Sequence, residues 1–396
     1  MSQPVAWTDS PSTSSPLSAT NLNRATKRAL FNVRDQPYSA VGNGIADDTT
    51  AIQNAINAAN TAGGGRVHLP AGTYLITSAL TMRRRVVLTG DGITASDSST
   101  GTILYLSSTS ANAIVGVDQR DMGIENLSIV GPGSGTGTGI RFTRSVTADI
   151  ARLTFRNIQV TGFGSQGIEL SNPITSVFDR VLVDSTPVGW NVHGVLGAGG
   201  SAGTSCVFLG CYTAGCTQTG YRLDNMCYCA FVGCASDACG IGYELIESGT
   251  QGISFTGCGV ESTVSGGGSY PGLGWKINSA VGVTLNGCFS FDLVNTSVWV
   301  TGNAAAVNIT GFSENSPQGG VTSSILVDSG CTVSLDSVSV ATAMSLAAGT
   351  TPLSMPAIAS TTSATSGAAT ALPANPVGYI TVSINGTSRK IPYYAT

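Results

Sequence analysis

The stretch "FVGCASDACG" (residues 231–240) has a near copy, "FLGCYTAGC", that begins at Phe208. Two shorter versions, "FTGCGVES" and "LNGCFSFD", begin at Phe255 and Leu285. Each version places a Cys three positions after a large apolar residue, with Gly just before the Cys. The same spacing with other apolar residues extends the pattern to nine copies, 23 to 31 residues apart. The first column of this repeat consists of Ile124, Phe155, Phe178, Phe208, Phe231, Phe255, Leu285, Ile309 and Leu335.

A second short element follows within most copies and consists of Gly followed by an aromatic residue or Ile. It reads "GIRF" at 139, "GIEL" at 167, "GWNV" at 189, "GYRL" at 220, "GYEL" at 242 and "GWKI" at 274. These elements alternate apolar and polar residues, which is the periodicity of a strand. Short strands, Gly-rich corners and a period near 24 residues predict an all-β parallel β-helix, in which coils stack about 4.8 Å apart.

The composition fits this fold and excludes several functions. Of 396 residues, 51 are Gly and 10% are charged, as in a β-rich chain with many turns. The net charge of −4 gives no basic surface for nucleic acid, and no apolar run is long enough to span a membrane. We therefore expect neither nucleic acid nor a membrane as a partner.

All ten cysteines lie between Cys206 and Cys331, inside the repeat. Cys211, Cys234 and Cys258 share one column, and a small apolar residue suits a stacked inward position. The first residues, "MSQPVAWTDSPSTSSPLSAT", lack the basic start and apolar centre of a signal peptide. The sequence therefore predicts reduced, structural thiols, although stacked coils would also permit disulfides.

An open end of such a solenoid exposes a sheet edge and must be covered. Residues 47–62, "DDTTAIQNAINAANTA", predict an amphipathic capping helix with Asp47 or Asp48 as its N-cap and "GGG" at 63–65 as its end.

The segment "FNVRDQPYSAVGNGIADDTTAIQNAINAANTAGGGRVHLPAGTYLIT" (31–77) resembles the opening of pectate-lyase-like right-handed parallel β-helix proteins. That group includes bacteriophage tailspike and tail-fibre-like proteins and polysaccharide-degrading enzymes. The resemblance rests on "FNVRD", "GNGIADDT", the helix and "GGGRVHLPAGTY", and it departs at "QPYSAVGNG", where the family has a shorter loop. It implies a right-handed parallel β-helix with an N-terminal capping helix, and it carries little information about a reaction.

Four regions are expected along the chain. Residues 1–30 resemble a virion-attachment segment, 31–344 form the β-helix, 345–375 are a Ser/Thr/Ala/Pro-rich linker, and 376–396 form a small C-terminal β-hairpin turning at Asn385–Gly386. A hairpin this short does not fold alone, so we expect it to oligomerise the chain, as a homotrimer by analogy with tailspikes. The alternative is a hairpin folded back on its own solenoid.

Candidate catalytic residues are carboxylates that share a register. Asp184, Asp237 and Glu261 each lie six residues after the first apolar column, and Asp292 and Glu314 fall within one position of that register. Asp237 and Glu261 lie in consecutive coils, near the roughly 5–5.5 Å that a retaining glycosidase requires. The two-coil separation of Asp184 and Asp237 suits an inverting pair. The alternative is a row of solvated corner residues.

Sugar binding is predicted around these carboxylates. Tyr212, Tyr270 and Trp299 are candidate stacking platforms, and Asp292 and Glu314 are candidate hydrogen-bonding partners. The loops "SGGGSYPG" (265–272) and "NSPQGG" (315–320) are expected to wall a groove.

A further column follows the aromatic residue of the second element, and its charges alternate. It consists of Arg141, Glu169, Asn191, Arg222, Glu244 and Lys276. Alternating signs favour a salt-bridge ladder, and the alternative is a second sugar site that uses Arg222, Asp224, Glu244 and Glu247. His193 opens an inserted loop as either a turn residue or an acid–base group. The two histidines, His68 and His193, have no ligand cluster, and no phosphate-binding loop is present, so we expect neither metal nor cofactor.

The sequence and the resemblance together indicate a phage tailspike-like protein that binds a host cell-surface polysaccharide. Whether it also depolymerises that polysaccharide is open; if it does, a glycoside hydrolase is favoured over a lyase. The alternatives are a non-catalytic receptor-binding or structural tail protein and a free bacterial polysaccharide lyase or hydrolase. The expected location is the virion tail, beside other tail or baseplate proteins, after synthesis in the host cytoplasm without a signal peptide.

Overall fold

A computed structural model describes residues 30–94, 99–145, 150–194, 202–264, 270–315, 321, 323–340, 344–346, 353–354, 376, 378–384 and 387–393. The expected attachment segment, most of the linker and the turn at 385–386 lie outside these residues. The described chain is nearly all β, and its strands stack in parallel into a solenoid, as the repeat predicts. Over the same residues, no helix has the length and apolar character needed to cross a membrane.

Each coil contributes a short strand to each of three faces. In one coil, Val207–Leu209 lies on face 1, Tyr212–Ala214 on face 2 and Thr219–Asp224 on face 3. Face 1 also contains Leu30–Asn32, Gly65–His68, Val86–Thr89, Ala230–Val232, Ser254–Thr256, Thr284–Asn286, Val307–Thr310, Val333–Asp336, Leu353–Ser354 and Gly378–Ile384. Face 2 also contains Asn43–Asp47, Gly72–Ile76, Thr102–Leu106, Ala235–Asp237, Gly259–Glu261, Phe289–Phe291 and Ser313–Asn315.

Three longer strands run through both face 1 and face 2: Arg120–Val130, Ile150–Thr161 and Val177–Asp184. Face 3 is an eleven-stranded sheet within the described residues. Its other strands are Leu80–Thr81, Ile114–Val117, Thr138–Thr143, Gln166–Ser171, Val188–His193, Ile241–Ile246, Leu273–Asn278, Val298–Thr301, Ile325–Val327 and Ser345–Leu346. Pro173–Ile174, Gly203–Thr204 and Met226–Cys227 are short strands between face 3 and face 1.

Strand register confirms the first apolar column along its whole length. Phe231 pairs with Phe208 in the preceding coil and with Phe255 in the following one, and the column continues in register from Ile124 to Leu335. The Phe231 ring stacks on the Phe208 ring at 4.2 Å between centroids and on the Phe255 ring at 4.9 Å. These side chains are fully buried, so the column forms the centre of the core.

The Gly of the repeat is explained by the corner between face 1 and face 2. Gly233 there has a φ of +59°, a left-handed conformation that costs a residue with a side chain about 1–2 kcal/mol. The next residue, Cys234, points inward, and its Sγ donates to the Phe208 carbonyl oxygen of the preceding coil at 3.4 Å. The ten cysteines are free thiols, and nine of them are buried.

The Gly that precedes each aromatic residue of face 3 is explained by crowding. A side chain at Gly242 would come within 2.7 Å of a methyl group of Val260 on face 2 and within 2.8 Å of the Gly274 carbonyl oxygen. Glycine therefore lets face 3 approach the inward residues of face 2, and the aromatic residue that follows fills the core.

The predicted helix spans Thr49–Thr61 and buries Ile52 and Ile56. Asp48 is its N-cap residue but makes no side-chain capping bond; its buried carboxylate accepts the backbone amides of Val41 and Gly42 instead. Asp47 accepts the amide of Thr49, the first helical residue. The role of this helix as an end cap remains a prediction.

At the other end, Gly378–Ile384 and Thr387–Tyr393 pair antiparallel. Gly378–Ile384 also pairs in parallel with Leu353–Ser354 of the same chain, so in the single chain the two strands continue face 1.

Candidate functional site

The three carboxylates predicted to be catalytic share one column on face 2. Asp237 pairs with Glu261 in the next coil, and Ala214 separates Asp237 from Asp184. Adjacent positions in this column are one strand spacing apart, about 4.8 Å. The register therefore agrees with the spacing expected from the sequence.

Neighbouring side chains already bind two of these carboxylates. Asp184 accepts hydrogen bonds from Gln159 Nε2 at 2.9 Å and from Thr161 Oγ1 at 2.5 Å. The Tyr212 hydroxyl donates to Asp237 Oδ2 at 3.1 Å. Burial, helped by this carboxylate, raises the pKa of Tyr212 to about 12, so Tyr212 stays a donor at neutral pH. Glu261 is exposed.

Asp292 and Glu314 do not belong to this column. Phe291 is the residue in register with Glu261, and Asp292 lies one position later, in a corner with a φ of +54°. Glu314 pairs with Ser290, whose column faces inward, and only 8% of Glu314 is exposed. For Glu314, a shift of one residue along the strand turns the side chain to the inner face, whereas Asp292 lies in the corner that follows the strand; both placements are thereby corrected.

The aromatic residues proposed as one sugar platform lie in different places. Tyr212 lies beside Asp237, whereas Tyr270 lies over the corner at Gly240 that leads into face 3. Trp299 belongs to face 3, where its Nε1 donates to Asp328 Oδ2 at 3.1 Å. Trp299 is therefore not near the Asp237–Glu261 pair, and the loop residues 265–269 and 316–320 lie outside the described residues.

The alternating charges predicted for face 3 form a continuous outward column. Strand register places Arg141, Glu169, Asn191, Arg222, Glu244, Lys276 and Trp299 in consecutive coils. Arg141 Nε lies 2.7 Å from Glu169 Oε2, and Lys276 Nζ lies 3.0 Å from Glu244 Oε1. No ion pair engages Arg222 within the described part of the chain. Both ends of the column are thus paired, and one cation in its middle is available.

Beside Arg222, the next outward column brings His193 and Asp224 into register in adjacent coils. Trp190, Val192, Tyr221 and Leu223 alternate with the outward residues and are buried, which fixes the direction of the outward side chains. His193 Nδ1 donates to the Gly194 carbonyl oxygen at 3.0 Å, assigned from this contact. Its Nε2 faces Glu169 Oε1 at 3.6 Å.

The electrostatics of this cluster are unusual for an outward face. The pKa of His193 is raised, chiefly by Glu169 and against the effect of burial. Burial favours the neutral form of Glu169, but hydrogen bonds from His193 and Arg141 outweigh it and lower the pKa of Glu169. The pKa of Asp224 is raised, first by burial and then by the negative charge of Glu247.

One oxygen of Asp224, Oδ1, is buried and has no hydrogen-bond partner. A buried acceptor without a partner costs about 1–3 kcal/mol, so such an oxygen in a polar cluster is a candidate for contact with a ligand or a transferred proton. His193, Asp224 and Arg222 together supply two proton-transfer groups and a cation. We name these three residues, with Glu169, the face 3 cluster.

The sequence pointed to part of the face 3 cluster. Arg222 and Asp224 belong to the alternative sugar site, but the sequence pattern does not group His193 with either of them. The signal was available in the alignment of "GWNVH" with "GYRLD", which places His193 opposite Asp224. Across the described ranges, no three His, Cys, Asp or Glu side chains are grouped so as to hold a metal ion.

Comparison with known proteins gives a family match and several partial relatives. A family model described as rhamnogalacturonase A/epimerase, pectate lyase-like, matches residues 30–244. Mannuronan C5-epimerase AlgE6 of Azotobacter vinelandii is 39% identical over 102 residues, which cover 24% of this chain and 11% of the relative. Alginate lyase 7 of the same organism is 43% identical over 70 residues, 16% of this chain and 8% of that protein. The chain thus spans about a tenth of the length of these relatives.

Solved structures with a similar fold include three phage proteins. ORF18 of Geobacillus virus E2 has a TM-score of 0.60 at 18% identity, and the match covers 78% of this chain and 60% of the ORF18 chain. The enzymatically active domain of tailspike protein 2 from bacteriophage CBA120 has a TM-score of 0.60 at 15% identity, and the match covers 78% of this chain and 47% of that domain's chain. The N-terminal fragment of bacteriophage Phi29 gene product 12 has a TM-score of 0.59 at 17% identity, and the match covers 82% of this chain and 66% of that fragment. At these identities the likeness establishes the fold.

Proposed function

Because this chain belongs to the rhamnogalacturonase A/epimerase, pectate lyase-like family, we propose that it acts on a polysaccharide and that the reaction takes place on face 3. The observation that carries this proposal is the side-by-side placement of His193 and Asp224, two proton-transfer groups whose pKa values are both raised. In the proposed active form, Asp224 is ionised and His193 is protonated. Asp224 is then the base and His193 the acid.

The proposed substrate is a polysaccharide of uronic acids. The face 3 cluster offers the unpaired guanidinium of Arg222 at the position beside Asp224, and guanidinium binds a carboxylate through two parallel hydrogen bonds. The partial relatives named as mannuronan epimerases and an alginate lyase point to the same class of substrate.

The proposed reaction is β-elimination. Asp224 removes the C5 proton beside the substrate carboxylate, and Arg222 stabilises the negative charge that develops there. The electron pair forms the C4–C5 double bond, the bond from C4 to the glycosidic oxygen breaks, and His193 gives its proton to the departing oxygen. The sequence alone favours a hydrolase over a lyase. On face 3, however, the acid and the base lie on adjacent strands, so both reach the same side of a bound sugar, an arrangement that suits elimination. Epimerisation needs a proton delivered to the opposite side.

The pH dependence of kcat/KM tests this assignment. We expect a bell-shaped profile: activity is lost at low pH as Asp224 is protonated and at high pH as His193 loses its proton. Because Glu169 is the main cause of the raised His193 pKa, Glu169→Gln should move the alkaline limb to lower pH. Glu247→Gln is the matched control and should move the acidic limb to lower pH instead. A profile whose limbs respond to neither substitution would contradict the assignment.

A second candidate is hydrolysis on face 2. Asp237 and Glu261 are register partners, and the Tyr212 hydroxyl donates to Asp237 Oδ2, which orients this carboxyl as a nucleophile. In this alternative Glu261 is the acid–base residue and Asp184 supports the pair.

We further propose that the protein works at a phage tail as a homotrimer, beside other tail or baseplate proteins, with a host cell-surface polysaccharide as its partner. Support comes from the shared fold of the phage proteins ORF18 and tailspike protein 2. In this proposal residues 1–30 attach the chain to the virion and residues 376–396 contribute to the trimer.

A further inference from the structure

Six cations in the described part of the chain are paired with carboxylates. Each of the following lies within 3.4 Å of a carboxylate oxygen: Arg66, Arg141, Arg152, Arg156, Arg180 and Lys276. In contrast, three consecutive arginines, Arg83, Arg84 and Arg85, are exposed and make no ion pair with any described residue. This is a local concentration of free positive charge in a chain of net charge −4.

These arginines form a tight turn between the face 3 strand Leu80–Thr81 and the face 1 strand Val86–Thr89. The Val86 amide donates to the Arg83 carbonyl oxygen at 3.3 Å, and the Gly65 amide donates to the Arg85 carbonyl oxygen at 3.0 Å. A side chain at Gly64 would come within 2.7 Å of Arg85. The turn is therefore packed against the residues that follow the helix.

The turn borders a surface cavity. The cavity has a volume of about 210 Å³ and is lined by Asn60, Gly63, Arg84 and Arg85. Sites for drug-sized ligands measure roughly 300–1,000 Å³, so this cavity suits one charged group rather than a whole oligosaccharide. Two guanidinium groups and an amide supply donors that match a carboxylate.

The carboxylate of Asp121 does not neutralise the guanidinium groups of Arg84 and Arg85. Arg152 holds the Asp121 carboxylate with two hydrogen bonds, and this contact is the main reason that the pKa of Asp121 is lowered. Arg84 and Arg85 add a weaker Coulomb effect on the same carboxylate. Their donors thus remain free for an external anion.

We propose that Arg84, Arg85 and Asn60 form a secondary binding site for a carboxylate of an acidic polysaccharide, an inference that rests on the proposed function. Strand pairing places the turn four coils before His193, about 19 Å along the solenoid axis. A long polysaccharide chain bound at the face 3 cluster can reach the cavity, whereas a short oligosaccharide cannot. The site therefore increases the affinity for polymers through a second contact on the same chain.

The test compares two double variants with the same change in charge. In Arg84→Ala/Arg85→Ala, binding of alginate and polygalacturonate polymers at low salt should weaken about 10-fold, as expected for two charge-assisted contacts. In the same variant, kcat/KM on a uronate trisaccharide, which is too short to span the distance to the cavity, should equal that of the wild type. Arg156→Ala/Arg180→Ala is the control: Arg156 is exposed on face 1 and Arg180 at the adjoining corner, and polymer binding should be unchanged.

An unchanged polymer affinity in Arg84→Ala/Arg85→Ala, or an equal loss in the control, would overturn the proposed site. Titration of the wild type with inorganic sulfate, followed by NMR of the arginine Nε–H groups, separates this inference from the proposed function. If sulfate shifts the signals of Arg84 and Arg85 but the protein binds no uronate polymer, the anion site is supported and the proposal of a uronate substrate is overturned. The absence of such shifts would overturn the anion site itself.

Discussion

Replacement of His193 by Ala or of Asp224 by Asn is expected to lower kcat/KM on a uronic acid polymer about 10²- to 10⁴-fold. His193→Ala removes the group that protonates the departing oxygen, and Asp224→Asn removes the base while keeping the shape of the side chain. The effect should appear mainly in kcat, because Arg222 still holds the substrate carboxylate. Both side chains point outward, so the core is unchanged and the melting temperature should change little.

The control for this prediction is Asp237→Asn/Glu261→Gln on face 2, which should keep the activity of the wild type. Since His193 and Asp224 act in one step, the double variant His193→Ala/Asp224→Asn should be hardly less active than either of its single variants. Loss of activity in the face 2 variant, with activity retained in the two face 3 variants, would instead assign the reaction to Asp237 and Glu261.

Replacement of Phe231 by Ala should lower the free energy of unfolding by about 3–5 kcal/mol. Phe231 is fully buried, stacks on Phe208 and Phe255, and packs edge-on against Tyr221 and Tyr243 at 5.6 and 5.9 Å. Because every coil buries its apolar face only against its neighbours, a cavity at this position weakens the contacts on both sides. Urea unfolding followed by circular dichroism measures the change.

Val232→Ala is the matched control in the same strand. Val232 points away from the core and is 42% exposed, so its truncation should change stability by about 0.5 kcal/mol or less. Equal effects at the two positions would contradict the inward column that runs from Ile124 to Leu335.

The fold could be read from the sequence because a solenoid repeats one local pattern. The spacing of Phe208, Phe231 and Phe255 determines their register, and the structure confirms it. The Gly before each Cys was visible as a motif, but its reason, a left-handed corner, needed the backbone geometry.

The site was less predictable because it depends on single-residue register and on neighbours from other coils. Glu314 lies one position from the expected column, and that shift turns its side chain into the interior. The raised pKa of His193 comes from Glu169, which lies 24 residues earlier in the sequence and one coil away. The burial that is the main cause of the raised pKa of Asp224 has no signature in the sequence, whereas the second cause, Glu247, belongs to the alternative sugar site that the sequence indicates.

If the face 3 cluster eliminates across the glycosidic bond of an acidic polysaccharide, each cleavage leaves one unsaturated sugar end and one reducing end. The most direct measurement is the ultraviolet absorbance of unsaturated sugar ends, followed together with reducing ends, when the purified protein acts on alginate, polygalacturonate and a neutral dextran. We expect both signals to rise together on a uronate polymer, neither to rise on dextran, and His193→Ala to abolish both. Reducing ends without unsaturated ends, from a protein in which Asp237→Asn abolishes activity, would contradict elimination on face 3.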